Sequence, residues 1–130
     1  MILRRLVLFL PLVAAAGLAF LSRPRRYVVD GRSMLPAYRP GDRVCVLLLA
    51  YRVRSPRAGE AVVVRRLEGR LDLKRLTAGP GDEVEVRGDR VTLGADEWFV
   101  AGDNLAESTD SRQLGPVRRE DILGPVWFRY

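Results

Sequence analysis

An unbroken apolar run of 16 residues, Leu6–Leu21, is the feature that most constrains what this chain can fold into. A buried helix of a soluble domain fits this segment poorly, because the run has no polar face. It is slightly shorter than the roughly 17–25 residues of a usual membrane span, but arginines on both sides can extend it by snorkelling. We expect either a membrane anchor or a secretory signal peptide, for which Gly17-Leu18-Ala19 would be the cleavage site.

Charge divides the chain at the end of this segment. Residues 1–26 contain five arginines and no acid, whereas residues 27–130 contain 17 basic and 16 acidic residues. A nucleic-acid-binding domain needs a basic stripe on its folded surface, and a nearly neutral body argues against one. We therefore predict two parts, an anchor with a basic flank over 1–26 and a folded domain over 27–130. Nearly equal numbers of arginines flank the apolar run, so charge alone does not orient the anchor.

The folded part has the pattern of a mostly β domain. Short β-rich pieces alternate with Gly/Pro punctuation, which predicts antiparallel hairpins curled toward a compact barrel-like domain. Three turns look alike, namely Pro40-Gly41-Asp42, Ala58-Gly59-Glu60 and Pro80-Gly81-Asp82. We expect a two-residue hairpin loop at Gly88-Asp89 and a short helical turn over Arg118–Ile122. The predicted strands are Tyr27–Val29, Val44–Leu49, Ala61–Leu67, Leu71–Thr77, Val84–Arg87, Val91–Leu93, Trp98–Ala101 and Val126–Tyr130.

The amino-acid composition excludes the catalytic mechanisms that need a histidine or a pair of cysteines. The chain has no histidine, and its one cysteine, Cys45, provides neither a disulfide nor a metal site, so we predict no metal and no cofactor. Of its 22 basic residues only Lys74 is a lysine. A desolvated lysine amine can lose its proton and activate a serine, whereas an arginine cannot deprotonate in a protein. Lys74 is thus a candidate general base, and the alternative of an ordinary surface lysine stays open.

Four short motifs in order make the pattern specific. They are Gly31–Pro36, Lys74-Arg75 with Pro80-Gly81-Asp82, Gly102-Asp103-Asn104, and Ser108–Arg112. In sequence and order they resemble the boxes of type I signal peptidases, which are membrane-bound Ser/Lys proteases. The resemblance extends from about Tyr27 to Arg112, with the apolar segment also in its expected place.

This resemblance implies a role for individual residues. Ser33 is the implied nucleophile, Lys74 its general base, and Ser108 the residue that orients the lysine amine. The resemblance further implies a bracing Asp110–Arg112 pair, a structural turn at Gly102, Asp103 and Asn104, an oxyanion hole at the Ser33 N–H beside Gly31, and substrate contacts by Met34 and Pro36. The implied partners are preproteins with small residues at the cleavage site and a lipid membrane. The catalytic domain would lie on the extracytoplasmic face of the cell membrane, held by a single span.

The sequence also departs from the family pattern. Ala37 replaces a usual threonine, Gly31 stands where some members have a serine hydroxyl, and the stretch from Asp82 to Gly102 allows only one hairpin. The resemblance is therefore to the compact bacterial form with one anchor. Alternatives are a maturation protease that removes the propeptide of nickel-type superoxide dismutase and a non-catalytic, membrane-tethered β-barrel that binds a partner. A self-cleaving SOS-type repressor fits poorly, because an apolar run replaces its DNA-binding helices.

Overall fold

Antiparallel strands are the main regular structure of the folded chain. The computed structural model describes residues 11–15, 17 and 24–130. Its strands are β1 (Pro24–Val28), β2 (Arg43–Leu47), β3 (Ala61–Arg65), β4 (Leu71–Ala78), β5 (Glu83–Val86), β6 (Asp89–Thr92), β7 (Phe99–Ala101) and β8 (Ile122–Arg129). Single 3₁₀ turns cover Ala50–Arg52, Leu105–Glu107 and Arg119–Asp121, and a one-turn α-helix covers Ser111–Leu114. The helical turn predicted near Arg118–Ile122 is confirmed.

Six of these strands form one sheet in the order β1-β2-β8-β3-β4-β7, and β5 and β6 pair as a separate hairpin. Every pairing is antiparallel. The predicted mostly β, antiparallel architecture is therefore confirmed. Within residues 24–130 the sheet is open, with β1 and β7 as its two edges, and the predicted closure toward a barrel is not seen in the strand pairing.

Apolar side chains cover both faces of the central strands. On one face Val62, Leu76 and Val100 belong to a buried cluster, and on the other Val44 and Val63 belong to a second. Neighbouring residues of β3 point to opposite faces, so Ala61–Val64 are all buried. The resulting apolar interior surrounds the middle of β4, where the candidate site lies.

The three similar turns have the same local structure. Their glycines Gly41, Gly59 and Gly81 have φ values of 90°, 95° and 86°, a region that favours glycine. In each turn the acidic residue accepts a hydrogen bond from the backbone N–H three residues earlier, at 2.8, 2.7 and 2.9 Å respectively. The turn similarity predicted from the sequence is thus confirmed.

The hairpin between β5 and β6 corrects one detail. Val86 pairs with Asp89, so the two-residue loop is Arg87-Gly88, one position before the predicted Gly88-Asp89. Both loop residues have positive φ, 50° and 86°, as a type I′ turn requires. The unusual arginine is held in place because its N–H donates to the Arg112 carbonyl at 2.9 Å and its Nε donates to the Gln113 carbonyl at 2.7 Å.

The N-terminal predictions lie mainly outside the described residues. Residues 11–15 and 17 are helical, whereas the rest of Leu6–Leu21, including Leu18 and Ala19 of the predicted cleavage site, is outside the described ranges. In the part of the chain that the structure describes, no helix combines the length and apolar character needed to cross a bilayer. The division at residue 26 and the choice between anchor and signal peptide stay predictions.

Candidate active site

Lys74 lies in the middle of β4 with its side chain turned into the domain. Side chains alternate along a strand, and Lys74 shares its buried face with Leu76 and Ala78. On β3 its direct partner is Val62, which is fully buried. Lys74 itself is only 3% exposed. The strand period therefore places the one lysine of the sequence among apolar residues, whereas the adjacent Arg75 turns to the opposite face.

This placement favours the neutral amine. Burial lowers the pKa of Lys74 below its ordinary value, because the ammonium form loses its hydration. The Asp72 carboxylate opposes this effect by attracting the charged form, and so does Asp110, whereas Arg66 and Arg70 reinforce it. The net lowering is the property that a lysine needs to act as a base near neutral pH.

Ser108 provides the direct polar contact of the lysine amine. The Lys74 Nζ donates a hydrogen bond of 2.9 Å to the Ser108 Oγ, which in turn donates one of 2.6 Å to the Asp110 Oδ2. The direction is fixed, since an ionised carboxylate only accepts. A neutral amine has two N–H donors and one lone pair, so donating to Ser108 orients the amine and leaves the lone pair available.

Asp110 is the centre of the supporting network. Its side chain is fully buried, and besides Ser108 it accepts a bond of 2.9 Å from the Gly102 N–H. Arg112 donates a hydrogen bond to each carboxylate oxygen, from Nε to Oδ1 at 2.9 Å and from Nη2 to Oδ2 at 3.1 Å. Burial raises the pKa of Asp110, but the hydrogen bonds from Arg112, Ser108 and Gly102 outweigh it and lower the pKa to about 2. The carboxylate is thus ionised at neutral pH and caps the Ser111–Leu114 helix.

The loop that carries Ser33 meets this network at Gly102. The Asn104 N–H donates to the Ser33 carbonyl at 2.8 Å, and the Asn104 side-chain amide donates to the Arg32 carbonyl at 3.1 Å. A Cβ on Gly102 would come within 2.3 Å of the Ser108 Oγ and 2.5 Å of the Ser33 carbonyl oxygen. Glycine is therefore required sterically where the Ser33 backbone and Ser108, the partner of Lys74, come together.

The structure brings most of the predicted residues into one place, with differences in detail. Ser33 is partly exposed, and within residues 24–130 its hydroxyl forms no hydrogen bond to Lys74. Gly31 has a φ of 74° at the start of the Ser33 loop. Pro36 is exposed, whereas Met34 is only 1% exposed. The oxyanion role of Gly31 and the substrate contacts of Met34 and Pro36 stay predictions.

Two supporting interactions were not predicted. Asp103 pairs with Arg75 at 2.6 and 3.1 Å, which ties the turn at Gly102 to the strand that carries Lys74. Ser111, 2% exposed, accepts a hydrogen bond of 3.1 Å from the Val100 N–H. The Lys74-Arg75 motif contained the signal for the first pair, because a strand points two neighbouring residues to opposite faces and Arg75 thus needs its own partner. Nothing local in the sequence indicates the second.

Comparison with known protein families identifies the family of this chain. The model of the family described as "Signal peptidase, peptidase S26" matches residues 2–96 and 92–130 of the chain. The chain therefore belongs to this family and is a serine peptidase. The resemblance inferred from the four motifs is confirmed.

Curated relatives are consistent with that assignment. The chain is 28% identical to a protein named signal peptidase I from Leptolyngbya laminosa, an alignment that covers 93% of the chain and 75% of the relative. It is 28% identical to a probable signal peptidase I-2 of Synechocystis, over 91% of the chain and 67% of the relative. It is 26% identical to signal peptidase IB of Staphylococcus aureus, over 80% and 76%.

Proposed function

We propose that this peptidase removes N-terminal signal peptides from secreted preproteins, with Ser33 as nucleophile and Lys74 as general base. The observation that carries the proposal is the buried Lys74 amine held by Ser108 and Asp110, at a point where the Ser33 backbone also converges. The family membership and the signal peptidase names of its relatives support this substrate class. Lysine replaces the histidine of other serine peptidases, consistent with the absence of histidine from the chain.

The proposed reaction passes through an acyl-enzyme. The neutral Lys74 amine takes the Ser33 hydroxyl proton as the Oγ bonds to the scissile carbonyl carbon, and the Ser33 N–H with a second donor holds the oxyanion. Lys74 then gives that proton to the departing amine as the carbon–nitrogen bond breaks. Water attacks the ester in the second half, with Lys74 again the base, and Ser33 recovers its proton. In both halves Ser108 keeps the amine oriented.

An unpaired stretch of β4 supports an extended substrate. β3 pairs with Leu71–Arg75 on one side, but β7 pairs only with Arg75–Ala78 on the other. Among the described residues, Leu71–Lys74 is therefore unpaired on the β7 side and offers its backbone groups beside the base. A preprotein segment can add there as a strand, with its scissile bond brought next to the Ser33 loop.

The proposal includes attachment to the cell membrane by the apolar segment Leu6–Leu21, with the catalytic domain on the extracytoplasmic face. β1 begins at Pro24, three positions after Leu21. The segment would hold the folded domain close to membrane-inserted preproteins.

The test is cleavage of a secretory preprotein with an Ala-x-Ala site by detergent-solubilised, full-length protein, with product masses recorded. Wild type should cut once, after the second alanine, and Ser33→Ala should not cut. Lys74→Met serves as a matched variant, since it keeps a buried chain of similar length but no amine. Circular dichroism would verify that both variants are folded.

Two results would contradict the proposal. Substantial cleavage by folded Ser33→Ala or Lys74→Met would remove these residues from the catalytic step. Failure of wild type to cut the preprotein would reject general signal-peptide processing. A nickel-type superoxide dismutase precursor, tested in parallel, would then separate the narrower maturation protease from a binding module that cuts neither substrate.

A further inference from the structure

A second charged cluster lies on the same strand as the proposed base. Asp72 is two residues before Lys74 on β4, so both side chains point to the same face of the sheet. The Nε of Arg66, from the hairpin between β3 and β4, donates to the Asp72 carboxylate. The side chains of Arg66 and Asp72 are 23% and 16% exposed, so solvent screens this pair only in part. An acid so close to the base is unexpected, because it favours the charged ammonium.

Arg66 also contacts the loop that holds Ser108. A terminal nitrogen of its guanidinium donates to the carbonyl of Thr109, the residue between Ser108 and Asp110. One side chain therefore joins the hairpin, the acid beside the base and the backbone of the orienting serine. The geometry makes Arg66 more than a surface partner of Asp72.

We propose that Arg66 is a positioning residue for the Lys74 base. Arg66 neutralises the Asp72 carboxylate and fixes the backbone at Thr109. The inference rests on the proposed function, since it takes Lys74 as the base. The guanidinium cancels a negative charge that would otherwise keep the amine protonated, and its hydrogen bond to Thr109 fixes the loop on which Ser108 sits. The neutral amine and its orientation thus depend on a residue that does not touch it.

The charged groups around Lys74 determine the direction in which each substitution should shift its pKa. Asp72 on β4 and Asp110 in the loop raise the pKa of the amine, and Arg66 and Arg70 in the hairpin lower it. Asp110 is separately paired with Arg112, and the strand neighbour Val62 is apolar. Arg70 is 76% exposed and 3.4 Å from Asp72, so its influence is screened. Arg66 and Asp72 are therefore the pair to change.

The first experiment compares pH profiles of kcat/KM for preprotein cleavage by the full chain. Arg66→Gln removes the cation that pairs most closely with Asp72, so the acid limb should move up by about one pH unit. Asp72→Asn should move the limb down, and the double variant should return it near that of wild type. Arg90→Gln, an equal charge change on the exposed β6 strand, should leave the limb in place.

The second experiment measures the amine directly, without activity. Lys74 is the only lysine, so its acetylation rate can be followed by the mass of the Leu71–Arg75 peptide released by cleavage after arginine. The rate rises with the neutral fraction of the amine, so its pH dependence reports the pKa. Arg66→Gln should shift this curve to higher pH and Asp72→Asn should shift it to lower pH, as each does for the acid limb.

The outcomes separate the two proposals. If Lys74→Met retains activity, the proposed function fails, whatever Arg66 does. If Lys74 is essential but Arg66→Gln and Asp72→Asn leave both curves where wild type has them, the role of Arg66 is overturned. A fall in kcat at every pH with no shift in either curve would likewise reject the charge-compensating role and leave only a structural one.

Discussion

Two adjacent cations on β4, Lys74 and Arg75, are treated in opposite ways. Lys74 points into the interior, its nearest polar partner is the neutral Ser108 hydroxyl, and burial lowers its pKa. Arg75 points to the other face, where hydrogen bonds to Asp103 raise its pKa against the effect of burial. Burial thus disfavours the charged form of Lys74, whereas Asp103 stabilises the charged form of Arg75.

The comparison shows what the strand geometry achieves. Because neighbouring side chains leave opposite faces, one strand can hold a buried lysine with a lowered pKa and an ion-paired arginine at adjacent positions. The arginine joins β4 to Asp103, next to the glycine at which Ser33 and Ser108 meet. The two side chains therefore belong to one candidate site, with Lys74 as its proposed base and Arg75 as the link between β4 and Asp103.

The largest effect is expected when the lysine on the inner face of β4 is replaced by arginine, so that both faces carry the same cation. Lys74→Arg keeps the charge but removes the only side-chain amine, so kcat/KM should fall at least about 1,000-fold. Preprotein cleavage measures the effect, with Lys74→Met as the folded, equally inactive control. Cleavage by Lys74→Arg at anything near the wild-type rate would refute the general-base role.

A smaller effect is expected from crowding the face that carries Lys74. Gly102→Ala places a methyl 2.3 Å from the Ser108 Oγ and 2.5 Å from the Ser33 carbonyl, so these groups must separate. A displacement of about 1 Å at a catalytic group can cost about 100-fold, and we expect that loss in kcat/KM.

Gly94→Ala is the matched control for this substitution. Its methyl would come 2.9 Å from Glu97 Oε1, the end of a partly exposed side chain that can rotate away. Activity should stay within about twofold of wild type. Equal activity of the Gly102 and Gly94 variants would show that the convergence at Gly102 does not matter for catalysis.

The smallest effect concerns the face that carries Arg75. Asp103→Asn removes the carboxylate from a partly buried pair, and we expect a loss of about 1 kcal/mol in the free energy of unfolding. Urea denaturation measures it, with Glu107→Gln as control, because the Glu107 pair with Arg32 is more exposed, at 50% and 67%. A loss no greater in Asp103→Asn than in the control would make the Arg75 pair energetically unimportant.

The existence of the strands could be predicted from the sequence, but their order could not. Alternation and Gly/Pro turns located eight strand segments to within a few residues, and the largest error was at β8, which begins at Ile122 instead of Val126. The first half of β8 was missed because it contains Gly124-Pro125, and both residue types are rare inside sheets. The central position of β8 depends on contacts between distant residues, which no local pattern encodes.

The candidate site was predictable to a similar degree. The motifs placed Ser33, Lys74, Ser108, Asp110 and Arg112 together through resemblance, and the geometry of the last four is now explicit. The burial of Met34 and the bond from Arg66 to Thr109 were not predictable. Both depend on how loops fold over the sheet, and loops carry no hydrophobic period.

The central place of β8 has a consequence for the order in which activity arises. β8 is the last strand among the described residues, yet it joins β1 and β2 on one side to β3, β4 and β7 on the other. A chain still emerging from the ribosome therefore has both Ser33 and Lys74 long before the strand that completes the sheet between their two halves. We therefore expect the proposed Ser33–Lys74 pair to be inactive until β8 has joined the two parts of the sheet.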